Sequence, residues 1–334
     1  MRKERQLVKE LMLLGEVPLL IGEAGIGKTT MVYDIAADLG LPLVDLPVQL
    51  MNPEDLLGLP LIKDGKTEFT LPAWFPSRPS VIFLDEINRA SSRIRGALLK
   101  LLYEKTVAGA KLPEGTLLAA AMNPPTDDYS VDDLDDAALL SRLIPVELGV
   151  SSKDWLAYME AKNGNSLVIG FIQAYPEWLL GGANDPLPRP NPRTWEKISH
   201  ILNGLSEEVK DEFLTSLLNK MVGVKAQAAF TKFVEGLKSF DPKAVFDKGA
   251  RDSLLALKPN LQLVAMSRAL DMALEDPTLD FVGALSYFVD KAPKEVIVSL
   301  YRTITETEKY ASIKAGIDKS PKLSLALSRL ISKI

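Results

Sequence analysis

The sequence predicts an α/β fold over the first 150 residues, built on a mainly parallel sheet, followed by an all-helical region to the end of the chain. Three observations predict it. Short apolar runs alternate with amphipathic segments up to residue 150; a glycine-rich string sits between the first such run and the first helical pattern; and from Ser151 onward the strand signal gives way to helical periodicity.

The strands come first. Residues 17–21, 43–48, 81–84, 117–122 and 144–148 are apolar runs of about five residues, the length and composition of strands buried on both faces. Residues 28–39 and 92–104 carry apolar positions at helical spacing, which makes them crossover helices between parallel strands. Two shorter features interrupt the rhythm. Asp64-Gly65 lies between extended residues within 59–69, a hairpin signal, and the Gly and Pro pattern of residues 106–116 suggests a second small hairpin. In the helical part, Asn163-Gly164 ends one helix, and prolines 186, 188, 190 and 192 make a stiff connector. Asp241-Pro242, Pro259, Pro277 and Pro293 punctuate later helices. The expected domains are 1–150, a helical domain 151–240 and a helical extension 241–334.

Composition limits the chemistry. Among 334 residues there are 44 acidic and 39 basic side chains, one His and no Cys. Zinc clusters, Cys nucleophiles and disulfide frameworks are therefore excluded. A His-based triad would need His200, which lies in a helical-looking stretch and reads as a packed or surface residue. Hydrophobic content of 47% and charged content of 25% are ordinary for a globular protein. The net charge of −5 gives no global reason to bind nucleic acid or an anionic membrane. Absence of cysteine fits a reducing cytosol or a hot one, with the cytoplasm the expected location. The start Arg2-Lys3-Glu4-Arg5 followed by apolar 11–14 suggests a leader only superficially, because Glu10 and Glu16 interrupt the run. No uninterrupted run of about 18 apolar residues exists to span a membrane.

The glycine-rich string is Gly22-Glu23-Ala24-Gly25-Ile26-Gly27-Lys28-Thr29, with Thr30 following, and it fits GxxxxGK[ST] in its strand-to-helix context. Glycines let consecutive backbone amides converge on an anion, and the helix N-terminus adds positive potential. Lys28 can reach the β- and γ-phosphates of a nucleotide, and Thr29 can ligate magnesium. By composition alone the string arises in about one per cent of chains this long. The run 81–84 then ends in Asp85-Glu86, at the sheet edge where the glycine loop also lies. Asp85 suits the hydration shell of a metal ion and Glu86 the polarisation of an attacking water.

These paired motifs, followed by Ile87-Asn88-Arg89-Ala90, resemble those of an AAA+ ATPase, and the string DEINRA is most similar to the MoxR branch. The resemblance covers roughly residues 15–205 and implies a P-loop NTPase core with a helical lid, ATP and Mg2+ as ligands, and a homo-oligomer, commonly a hexameric ring. It implies that Asn123, before Pro124, is the polar sensor on the strand beyond the two motifs. Arg142 would be the finger completing a neighbouring subunit's site, and Arg193 would open the lid helix as a second sensor. The hairpins near 59–69 and 106–116 fall where this branch carries inserts facing the ring pore.

Bland alternatives stand beside these roles. Arg142 could serve a helix C-terminus, and Arg89, Arg93 and Arg95 compete for the trans-acting role. Arg193 could pair with Glu196. The acidic group Asp127, Asp128, Asp132, Asp133, Asp135 and Asp136 reads as a loop and first helix turn rather than a metal site. The favoured reading is an ATP-hydrolysing machine acting on a protein client, with a VWA-type partner as one candidate. A nucleic-acid motor or loader is the alternative, resting on Lys314, Lys319, Lys322, Arg329 and Lys333, and a nucleotide-bound scaffold is a third.

Overall fold

The computed structural model describes residues 2–124, 136–182, 185–238, 241–306 and 308–331. They divide into two compact units, 1–150 and 151–334.

The first unit runs α1 (Arg2–Leu13), β1 (Pro18–Ile21), α2 (Lys28–Asp38), β2 (Leu43–Pro47), α3 (Pro53–Leu57), β3 (Pro60–Lys63), β4 (Lys66–Phe69) and β5 (Val81–Asp85). It continues with α4 (Ser92–Glu104), β6 (Thr106–Val107), β7 (Ala110–Lys111), β8 (Leu117–Met122), α5 (Ala137–Leu140) and β9 (Ile144–Glu147). Its main sheet has the order β2-β5-β8-β1-β9 with every neighbouring pair parallel. The continuous apolar runs of the inner strands β1, β5 and β8 follow from burial on both faces, whereas the edge strands β2 and β9 are only partly buried and carry Asp45 and Glu147. Ile82, Leu84, Leu118 and Ala120 pack with Ile94, Leu98 and Leu101 of α4 on one side. Val81, Phe83, Ala119 and Ala121 pack with Met31, Val32 and Ile35 of α2 on the other.

Helix α1 joins that second layer. Val8 and Met12, one turn apart, are fully buried there, so the charged start and the apolar residues up to Leu13 belong to a packed helix. The two hairpins form as expected: Asp64 and Gly65 join β3 to β4, and Ala108 and Gly109 join β6 to β7, all four with positive φ. Positive φ at both central residues is what a tight hairpin turn requires.

The second unit is helical: α6 (Ser152–Ala161), α7 (Ser166–Ala174), α8 (Pro192–Gly204), α9 (Glu207–Glu212), α10 (Asn219–Lys238), α11 (Arg251–Leu255), α12 (Pro259–Glu275), α13 (Phe281–Phe288), α14 (Lys294–Glu306), α15 (Ala311–Asp318) and α16 (Pro321–Ile331). Side chains of Ser151, Asn165 and Asn191 cap α6, α7 and α8, with Pro192 in the first turn of α8. Phe171, Trp195, Phe230 and Phe233 form one aromatic cluster. The expected division near residue 240 runs through this unit, and α7 from one side of it lies tightly on α12 from the other: a Cβ added at Gly170 would stand 2.0 Å from Val264 Cγ2. No helix among the described residues is long and apolar enough to cross a membrane.

Candidate functional site

The site lies at the C-terminal ends of β1, β5 and β8, where the loop after β1 turns into α2. Gly22 is buried against β8 and β9; its N–H donates to Met122 O at 3.3 Å, and an added Cβ would meet Ile26 Cδ1 at 2.3 Å and Leu148 O at 2.9 Å. Gly25 and Gly27 have φ of 80° and 101°, which other residues adopt only with strain. Ile26, 5% exposed, fastens the loop to the sheet core. Helix α2 begins at Lys28 without a side-chain cap and with no acidic residue in its first turn. Its terminal amides and the positive end of its dipole are thus left for an anion. Thr29 is half-buried and Thr30 exposed in that turn, while Glu23 and Ala24 are half-buried in the loop.

Lys28 is buried, and its Nζ donates to Gly22 O (2.6 Å), Glu23 O (3.1 Å) and Asn123 Oδ1 (2.7 Å). The structure therefore brings together the lysine of the loop and the polar residue at the end of β8. Asn123 is itself only 5% exposed, and its carbonyl accepts from the buried Asn88 Nδ2 at 3.4 Å. In the sequence Asn88 is only part of a string; its burial is what marks it as the link between the turn after β5 and the end of β8.

Asp85 ends β5, and its Oδ1 accepts from Glu86 N at 3.0 Å. Its charge also reaches the neighbouring strand: the Asp45 carboxyl is held above the usual carboxylate range, first by desolvation and then by the negative charge of Asp85. Glu86 adopts φ 55°, ψ 44°, a left-handed conformation that costs a non-glycine residue of order 1 kcal/mol or more. Its Oε2 is buried without a hydrogen bond, with Arg89 Nη1 at 3.7 Å. A strained backbone that presents an unsatisfied carboxylate oxygen is unlike an ordinary strand end.

The remaining sequence candidates separate. Arg142 follows α5 and lies half-buried, its Nη1 donating to Ala138 O and its guanidinium over the Tyr103 ring. Of its competitors, Arg89 stands beside Glu86 and Arg95 Nε donates to Ala90 O at 3.0 Å, whereas Arg93 is exposed. Arg193, exposed in the first turn of α8, belongs to the second unit; Glu196 accepts instead from Tyr158 Oη at 2.8 Å and Lys162 Nζ at 3.0 Å. His200 is exposed on α8. Asp127, Asp128, Asp132, Asp133 and Asp135 lie outside the described residues, and Asp136 caps α5 through Ala138 N and Leu139 N. Among the described residues no group of three or more His, Cys, Asp or Glu side chains is placed to hold a metal ion. One hydroxyl at Thr29 and one carboxylate at Asp85, beside an uncapped helix, are oxygen donors of the kind a magnesium ion would take.

A five-stranded parallel sheet with a glycine loop after the inner strand β1, a buried lysine and paired carboxylates on the next-but-one strand is the arrangement of a P-loop nucleotide-binding domain, and residues 18–143 match the AAA domain (dynein-related subfamily). Over that segment the chain is similar to AAA+ ATPases, and among them to the MoxR type. It is 32% identical over 127 residues to chaperone MoxR1 of Mycobacterium tuberculosis, a match covering 36% of this chain and 33% of the relative. The match thus spans about a third of that relative's length. Among solved structures, a RuvB point mutant of Thermotoga maritima is similar at TM-score 0.41 and 17% identity, over 73% of each chain. NtrX of Brucella abortus in complex with ADP is similar at TM-score 0.38 and 15% identity, over 71% of this chain and 67% of that one.

Proposed function

We propose that this chain assembles into a ring, commonly a hexamer in its class, that hydrolyses Mg-ATP between neighbouring copies to remodel a protein or assist the assembly of a protein complex. The observation that carries the reading is the convergence of Lys28, Asn123, Asp85 and the strained, unsatisfied Glu86 at one end of the sheet.

In this reading the amides of residues 22–30 cradle the phosphates, and Lys28 exchanges its loop carbonyls for the β- and γ-phosphate oxygens. Thr29 and Asp85 hold the magnesium ion, which supplies Lewis-acid neutralisation of phosphate charge when bound. Glu86 polarises the attacking water, and Asn123 positions it. Arg193 reports the γ-phosphate to the helical unit, and Arg142 of the adjacent copy offsets charge in the transition state. A trans arginine contributes roughly three to five orders of magnitude in rate in related P-loop enzymes.

A protein client is favoured over nucleic acid by the net charge of −5. Leu61 and Ile62 on the β3–β4 hairpin, 53% and 86% exposed, offer apolar side chains of the kind that grip an unfolded segment or a VWA-type partner. The absence of cysteine supports action in the cytoplasm.

The test is ATPase rate per subunit against protein concentration, together with the oligomeric state. A rate that falls as the ring dissociates supports composite sites; a flat profile across a dissociation seen by light scattering rules them out. Stimulation by DNA or RNA that declines steeply with salt would shift the client to nucleic acid.

A further inference from the structure

Arg142 is held by groups of its own chain, yet not fully used by them. Its Nη1 donates to the Ala138 carbonyl and lies 3.4 Å from Ser141 Oγ, which ties one edge of the guanidinium to the end of α5. Its central carbon stands 5.4 Å from the centroid of the Tyr103 ring. Nε is buried and finds no acceptor among the described residues.

Tyr103 lies in the last turn of α4 and is 75% exposed. Such exposure of a tyrosine gains little from burial, so packing does not account for the ring at this position. An aromatic face beneath a guanidinium restricts its plane while leaving the N–H edges available.

We propose that Tyr103 is a positioning residue for Arg142, its ring holding the guanidinium in place until a second copy of the chain supplies an anionic acceptor. The proposal rests on the reading of Arg142 as trans-acting, and it gives α4 of one copy a part in hydrolysis by the next.

The experiment measures kcat and KM for ATP in the assembled protein for Tyr103→Ala, Tyr103→Phe, Arg142→Ala and the double variant Tyr103→Ala/Arg142→Ala. Removing the ring should lower kcat roughly two- to five-fold at unchanged KM, the range expected of one cation–π contact at an exposed site. Tyr103→Phe should restore kcat, because the ring and not the hydroxyl is responsible. In the Arg142→Ala background, Tyr103→Ala should cause no further loss, the signature of two residues acting as a unit. Parent kcat in Tyr103→Ala, failure of Phe to restore it, or an equal loss in the Arg142→Ala background would each overturn the proposal. Parent kcat in Arg142→Ala would overturn the underlying reading instead.

Discussion

Lys28 Nζ donates to Asn123 Oδ1 at 2.7 Å, across 95 residues of sequence. This bond joins the phosphate loop to the end of β8, and Asn88 extends the connection to the turn that carries Glu86. Three segments far apart in sequence thereby share one buried polar chain, in which displacement of one member changes the partners of the next. A nucleotide that draws Lys28 away would release the Asn123 amide for another partner, an attacking water in the proposed reaction.

Lys28→Ala and Asn123→Ala should accordingly fail in different ways. Loss of the lysine removes charge-assisted bonds to phosphate and should weaken ATP binding at least ten-fold. Loss of the Asn123 amide should leave binding within a few-fold of the parent and lower kcat by about two orders of magnitude, as removal of a single positioning donor does elsewhere. Titration with a fluorescent nucleotide and single-turnover hydrolysis separate the two. Equal binding defects in both variants would mean that Asn123 only supports the loop.

Glu86 combines a catalytic proposal with backbone strain at φ 55°, and two substitutions pull these apart. Glu86→Gln keeps the strain and removes the charge, so ATP should stay bound while hydrolysis falls by about 10²- to 10⁴-fold. Glu86→Gly relieves the strain and should stabilise the fold by about 1 kcal/mol with hydrolysis equally lost. Thermal unfolding and phosphate release on both variants provide the check. A destabilised Gly variant would show that contacts of the Glu86 side chain outweigh the relief.

The inner strands of the main sheet were legible because burial on both faces writes them as continuous apolar runs, and the loop because its glycines and lysine keep a fixed order. Helix α1 was not: of its apolar residues only Val8 and Met12 are fully buried, while Leu7 and Leu13 are exposed, so its apolar run does not mark the packed face. Nor could sequence show that Glu86 is left-handed, since glutamate has no preference for that conformation. Asn88, Tyr103 and Asp45 gain their relation to the site only from tertiary contact. A residue type ordinary for its element gives no advance sign of such a contact. The hairpins were readable at their turns, where Asp64-Gly65 and Ala108-Gly109 take positive φ, but not in how much apolar surface they expose.

Gly170 tests whether the two halves of the helical unit act together. An Ala at this position of α7 would gain about 1 kcal/mol of helix propensity, but its Cβ would overlap Val264 Cγ2 on α12. Overpacking of this kind costs about 1–3 kcal/mol, so Gly170→Ala should lower stability by about 1 kcal/mol net. Hydrogen exchange should quicken in both α7 and α12 if their packing is cooperative. Faster exchange confined to α7 would show that residues 241–334 hold together without it.

Tyr310 sets a dependence on alkaline pH. The ring is 3% exposed, its Oη donates to Asp271 Oδ1 at 2.6 Å, and Lys309 Nζ donates to the same oxygen at 2.9 Å. Burial first, and then the hydrogen bond and charge of Asp271, push ionisation of the phenol well above its ordinary value. A folded-state pKa raised above the unfolded one contributes stability that is fully present below the unfolded value, about 10. As pH rises beyond that value the unfolded chain loses the phenolic proton while the folded one keeps it, so stability declines until the folded pKa is reached. Tyr310→Phe should cost about 1.5 kcal/mol at neutral pH, the scale of a hydrogen bond to a charged acceptor, since Asp271 keeps Lys309. Above about pH 10 the gap between parent and variant should shrink, because only the parent loses this contribution. Denaturant unfolding of both proteins at about pH 8 and about pH 11, on either side of the ordinary phenol value, measures the gap. One that stays constant or widens with pH would contradict the assigned direction.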